Sequence, residues 1–199
     1  MSAMMDTSGE AAEQIRAALA AENRVRVRRG GLLLVVWAGL AVALTLGLGP
    51  RAGLKPVDVL VGAIAGAFVL FGAATAFSPN LRFGAWAARA IGLVAIFSPL
   101  LAARAFETEG GVMVGTLGCL GTISALGLVA LVVGRLLLGK TRRRFGGAPL
   151  LQGVAAAMIG VLAVGLHCSL TTVPHLATHA VGAVVVAALL RRLLLPDRA

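Results

Sequence analysis

Thiols and imidazoles are the side chains here with the most chemical reach, and they are gathered rather than scattered. All three histidines and one of the two cysteines fall in the 13 residues from His167 to His179. Cys168 follows His167 directly, while His175 and His179 stand one helical turn apart on a shared face. Thiolate and imidazole together suit soft or borderline metal ions such as zinc or copper. His167, Cys168, His175 and His179 are therefore a candidate metal site. The same residues fit two other uses. Cysteine oxidation or histidine protonation makes a sensor, and imidazoles at a wet interface also cap a hairpin and hydrogen-bond its loop. The spacing is not that of a closed C-x-x-C…C-x-x-C zinc site, and no opposed histidine pair at mid-depth prepares a haem site.

The elements that must position these groups follow from composition. The chain has 199 residues, 59% apolar and 13% charged, with mean hydropathy +0.95. Soluble domains are about half apolar and about a quarter charged, and a disordered chain is far more polar. No polar stretch is long enough to fold around a core of its own. An integral membrane protein remains. A spanning helix needs roughly 20 apolar residues to cross about 30 Å of hydrocarbon. Six stretches qualify, at about 31–49, 57–77, 84–104, 112–138, 149–167 and 175–195. The expected fold is all-α, a six-transmembrane-helix bundle over 30–196 behind a tail of 1–29. Turns fall at Pro50–Gly53 and Ser78-Pro79-Asn80, Pro99 predicts a kink in the third span, and Thr171 or Thr172 is placed to cap the sixth.

Charge sets the orientation. Eighteen Lys and Arg against eight Asp and Glu give a net charge of +10. With both termini cytoplasmic, only Arg51, Lys55 and Arg104 lie outside, a strong positive-inside bias. The excess charge thus reads as topology rather than as a nucleic-acid surface. Cys119 then lies about seven residues into span four, roughly 10 Å deep, and Cys168 ends span five on the same outer side. Both face the oxidising direction. A disulfide needs Cα atoms within about 7 Å, so the depth difference opposes pairing unless a helix bends or shifts. Gly62-x-x-x-Gly66 and Gly111-x-x-x-Gly115 have the spacing of close helix packing within the bundle or of a homodimer.

Transporters place ionisable groups at mid-membrane. Here Asp58, Arg89, Arg104 and Arg135 all sit near span ends. Paired carboxylates, a phosphate-cradling loop and a Ser/His/Asp set are missing as well, so no enzyme is expected. The tail carries the remaining signal. Thr7-Ser8-Gly9-Glu10 has the capping-box pattern, and Ala11–Glu22 favours helix. Ile15 and Leu19 form a narrow apolar stripe, with Glu10, Glu13, Arg16 and Glu22 around it. Such a segment either frays or docks, as a helix, on a cytoplasmic partner with a basic surface.

Together these residues resemble the six-span NrsF-type anti-sigma factors, with which CarR-like membrane proteins are grouped. The likeness covers nearly the full length. It rests on the tail Glu13–Glu22, on Cys119-Leu120, on Ala148-Pro149 with Gly153 and Gly160, and on Leu166-His167-Cys168 followed by His175 and His179. Ser169 stands where the family often has proline, and Thr178 where an aromatic residue often precedes the last histidine. The resemblance implies a protein of the bacterial inner membrane that holds an extracytoplasmic-function sigma factor at its cytoplasmic face. Glu10, Glu13, Ile15, Arg16, Leu19 and Glu22 would form the grip, and a signal at Cys119 and Cys168 would release it. A metal- or haem-binding membrane protein without a partner, or a small transporter, is the alternative reading.

Overall fold

The computed structural model describes residues 3–77, 85–103, 112–138 and 148–194. Most of the described residues are helical, and none lies in a β-strand. α1 spans Ala3–Leu48, α2 Pro56–Ala74, α3 Ala85–Phe97, α4 Val112–Leu138, α5 Ala148–His167 and α6 Val173–Leu194. α1, α2, α4 and α5 are long and apolar enough to cross a membrane. α3 with the turn after it, and the first part of α6, form shorter apolar stretches, Trp86–Ala102 and Val173–Val186.

α5 is the axis of the bundle. Every residue from Gly153 to Val161 is buried, as expected of a helix that is apolar all round. All five other helices pack on it. Several close approaches need glycine, among them that of Gly30 in α1 to Phe77. A Cβ at Gly72 of α2 would collide with Ala155, and one at Gly160 would lie 2.8 Å from the Ile123 carbonyl oxygen of α4. These contacts replace the expected pair in span two: nothing lies within 4 Å of a Cβ at Gly66, and Gly62 meets only side chains of α5. α1 contributes the stripe Leu33, Trp37 and Ala41, and Trp37 Nε1 donates to the Ala130 carbonyl of α4 at 3.0 Å. Leu34, Leu40 and Leu44 flank that stripe, while Val35, Val42 and Leu46 face outward, a surface that fits lipid.

Three boundaries depart from expectation. The tail and the first span are one helix of 46 residues, about 69 Å long. The helix has already begun at Ala3, so Thr7 lies inside it rather than capping it. Where the third span was expected, α3 ends at Phe97, and Ser98–Ala102 tightens into a 3-10 turn led by Pro99. Proline there removes a backbone donor, so the helix stops where a kink was expected. At α6, the Leu176 N–H bonds the Thr172 carbonyl at 3.0 Å, while the Thr172 hydroxyl makes no capping bond among the described residues. The turn after α1 is as expected, with Gly49 and Gly53 both at φ +74°. Ser78-Pro79-Asn80, Arg82, Arg104 and Gly111 lie outside the described residues, as do Lys140–Arg144.

Candidate metal centre

The helices alternate in direction, so the end of α1, the start of α4, the end of α5 and the start of α6 share one end of the bundle. α4 brings Cys119 there. Cys168 follows the last residue of α5, and its N–H still bonds the Val164 carbonyl at 2.7 Å. The first turns of α6 bring His175 and His179. One ligand-type atom from each of these four side chains lies within 4.8 Å of every other. The two sulfurs are 3.7 Å apart and unbonded. Cys168 Sγ is 3.1 Å from His175 Nε2.

This cluster could hold a metal ion. Tetrahedral zinc, with Zn–S bonds of about 2.3 Å, sets its two sulfurs about 3.8 Å apart, and two thiolates with two imidazoles are a common donor set for it. His175 is fully buried, and its Nδ1 sits 2.9 Å from Thr116 Oγ1. That bond turns Nε2 toward the sulfurs, the arrangement in which a histidine ligand is held by its other nitrogen. His179 is also fully buried, its ring T-shaped against His175 with centroids 5.0 Å apart. Neither of its ring nitrogens has a hydrogen-bond partner among the described residues. An orphaned buried polar group costs about 1–3 kcal/mol, and an ion at the cluster would satisfy one of the two nitrogens. The Cys119 thiol beside it, the approaching His179 ring, the Leu170 amide and the His175 ring hold the Cys168 thiol below the ordinary cysteine range, against the opposing effect of burial. A depressed value favours the thiolate that binds metals.

Cys168, His175 and His179 therefore meet as the sequence suggested. His167 does not join them. It is exposed, with Nδ1 3.1 Å from the Gly49 carbonyl oxygen. Consecutive residues on a helix end point about 100° apart, so His167 and Cys168 cannot both face one centre. Cys119 takes the fourth place. The depth offset that opposed its meeting Cys168 disappears because α4 reaches past the end of α5, which also sets Thr116 level with His175.

The tail residues lie elsewhere. Glu10, Glu13, Ile15, Arg16, Leu19 and Glu22 are all exposed on α1, and Glu22 pairs with Arg26 at 2.8 Å. An exposed pair of this kind adds little stability.

Two features of the site were missed in the sequence. Thr116 was overlooked, though it precedes Cys119 by three residues and so shares its face. Arg51 and Asp58 were read only as interfacial charges. In the fold the Arg51 N–H bonds the Leu166 carbonyl at 3.0 Å, and its guanidinium donates to the Cys168 carbonyl. The guanidinium also pairs with Asp58 Oδ1 at 2.7 Å, the two side chains being 7% and 2% exposed. Asp58 Oδ2 accepts the Lys55 N–H at 2.8 Å, which closes the start of α2. Opposite charges flanking the first residues of an apolar span were the available signal. Set against known proteins, the chain matches no family model, no curated protein and no solved structure.

Proposed function

We propose that the chain is a membrane anti-sigma factor of the NrsF type: a six-span protein of the bacterial inner membrane, both termini in the cytoplasm, whose tail holds an extracytoplasmic-function sigma factor. A zinc or copper ion at Cys119, Cys168, His175 and His179 is the signal that releases it. The observation that carries this reading is the joint between the two ends. His167 bonds Gly49, and Arg51 bonds both Leu166 and Cys168. The turn that ends α1 is thereby fastened to the segment that carries a thiol ligand. α1 then runs unbroken to a bare acidic end.

A ligand shifts a two-state equilibrium only by binding the states unequally. Drawing Cys168 toward an ion would pull on the carbonyl that Arg51 holds, and so on the end of α1. The two histidines favour an ion over a disulfide as the signal, since a thiol pair needs no imidazole to oxidise. At the other end, Ile15 and Leu19 offer an apolar stripe ringed by carboxylates, suited to a basic partner. Sequestration is tested by Ile15→Asp with Leu19→Asp. The sigma factor should leave the membrane fraction for the soluble one, and unchanged co-purification would rule out this docking surface.

A metal-binding membrane protein without a partner is the second reading, favoured by the closeness of the four ligand atoms. Deleting residues 1–23 separates the two, being harmless to that protein and fatal to sequestration.

A further inference from the structure

A second polar feature lies directly behind the cluster. A partly open cavity of ≈ 20 Å³ is lined by the α1–α2 turn, α2, the 3-10 turn, α5 and α6. Its lining is apolar apart from Arg51, Asp58 and His179. About 10–15 Å³ suffices for one water, which needs two to four polar partners. Burying an ion pair and an imidazole among aliphatic side chains is costly unless each is satisfied. Arg51 and Asp58 satisfy each other. His179 is the group left over: its ring approaches the Cys168 thiol, yet neither nitrogen makes a well-formed hydrogen bond among the described residues.

The two nitrogens of an imidazole point away from each other. If one faces the sulfurs, the other faces away from them and needs a donor or acceptor of its own. Histidines that ligate metals carry that second nitrogen on a carboxylate, a carbonyl or a water. We infer that the cavity holds one ordered water bridging His179 to the Arg51–Asp58 pair, which makes Asp58 a positioning residue for the cluster. In its effect on metal binding, this inference rests on the metal reading above. The ion pair then supports the centre from two sides: Arg51 holds the Cys168 carbonyl directly, and the water holds His179.

The test uses the full chain in lipid nanodiscs, labelled with ¹⁵N-histidine, and Cd²⁺ alone as the metal probe. Without metal, the His179 ring N–H should resist exchange with bulk solvent and show a cross-peak to a bound water. The assignment comes from loss of the signal in His179→Gln. Ala65→Val narrows the cavity without touching the ion pair or any ligand. It should abolish the cross-peak and weaken Cd²⁺ binding by about 10- to 100-fold, leaving the thiolate-to-cadmium absorbance at saturation unchanged. Asp58→Leu should do the same, and Asp58→Asn, which keeps an acceptor oxygen, should recover part of the affinity. If Ala65→Val fails to fold, Ala102→Val narrows the same cavity from the 3-10 turn. Wild-type protein that binds Cd²⁺ but lacks the cross-peak overturns the water bridge and leaves the metal reading intact. Equal Cd²⁺ affinity in wild type, Ala65→Val and Asp58→Leu overturns the positioning role. A cross-peak lost in Ala65→Val, in a wild type that binds no Cd²⁺, supports the bridge and overturns the metal reading instead.

Discussion

From Gly30 to Leu48, α1 lays Leu33, Trp37 and Ala41 against its neighbours and ends in a turn fastened to the Cys168 segment. From Gly9 to Arg29 the same helix buries no described side chain. Packing and a buried indole hydrogen bond hold the first of these regions. Residue propensity holds the second, with little help from the exposed Glu22–Arg26 pair. Helices without tertiary contacts are marginal in water, and segments with few buried contacts are the ones that open at low cost. The bare end can therefore move or open at little cost to the packing of the bundle.

The contrast can be broken hardest at Arg51. Arg51→Ala removes the guanidinium that pairs with the buried Asp58 carboxylate and frees the Cys168 carbonyl. It should cost about 3–5 kcal/mol, read as a lowered midpoint of thermal unfolding in detergent. A loss below about 1 kcal/mol would mean that the joint bears no load. Next in size are the ligands. Cys168→Ala or His179→Ala should remove Cd²⁺ binding, measured as loss of the thiolate absorbance, whereas His167→Ala should keep it. Removing Thr116 takes away the partner that orients His175, and Thr116→Val should weaken Cd²⁺ binding by about 10- to 100-fold at unchanged stoichiometry. Smallest of all is the effect of the tail on the bundle. Ile15→Asp with Leu19→Asp should move the unfolding midpoint by no more than about 0.5 kcal/mol allows, while still abolishing partner retention.

Much of the fold was legible in the sequence because lipid imposes a simple rule: apolar runs of a fixed length must be helices. The turn at Pro50–Gly53 and the bounds of α4 and α5 followed from that rule. What failed were features set by neighbours. Sequence breaks the tail from the first span at the arginines before Gly30, yet arginine is a good helix former and the helix runs straight through. Glycine spacing pointed to Gly62 and Gly66, whereas tight contacts, at Gly30, Gly72 and Gly160 among others, depend on what lies opposite. Three of the four cluster members were legible because they are close in the chain. The fourth required knowing that α4 overshoots α5, a vertical offset that residue counting gets wrong. His167 was misplaced for a simpler reason, since adjacency in sequence on a helix means divergence in space.

The most direct measurement follows the proposed sigma-factor partner in membranes carrying the full chain, titrated with Zn²⁺ or Cd²⁺. The account predicts that the ion shifts the partner from the membrane to the soluble fraction in wild type, and that Cys119→Ala with Cys168→Ala retains it at every ion concentration. Release that is equal in both proteins, or absent from wild type while the ion is bound, would contradict it.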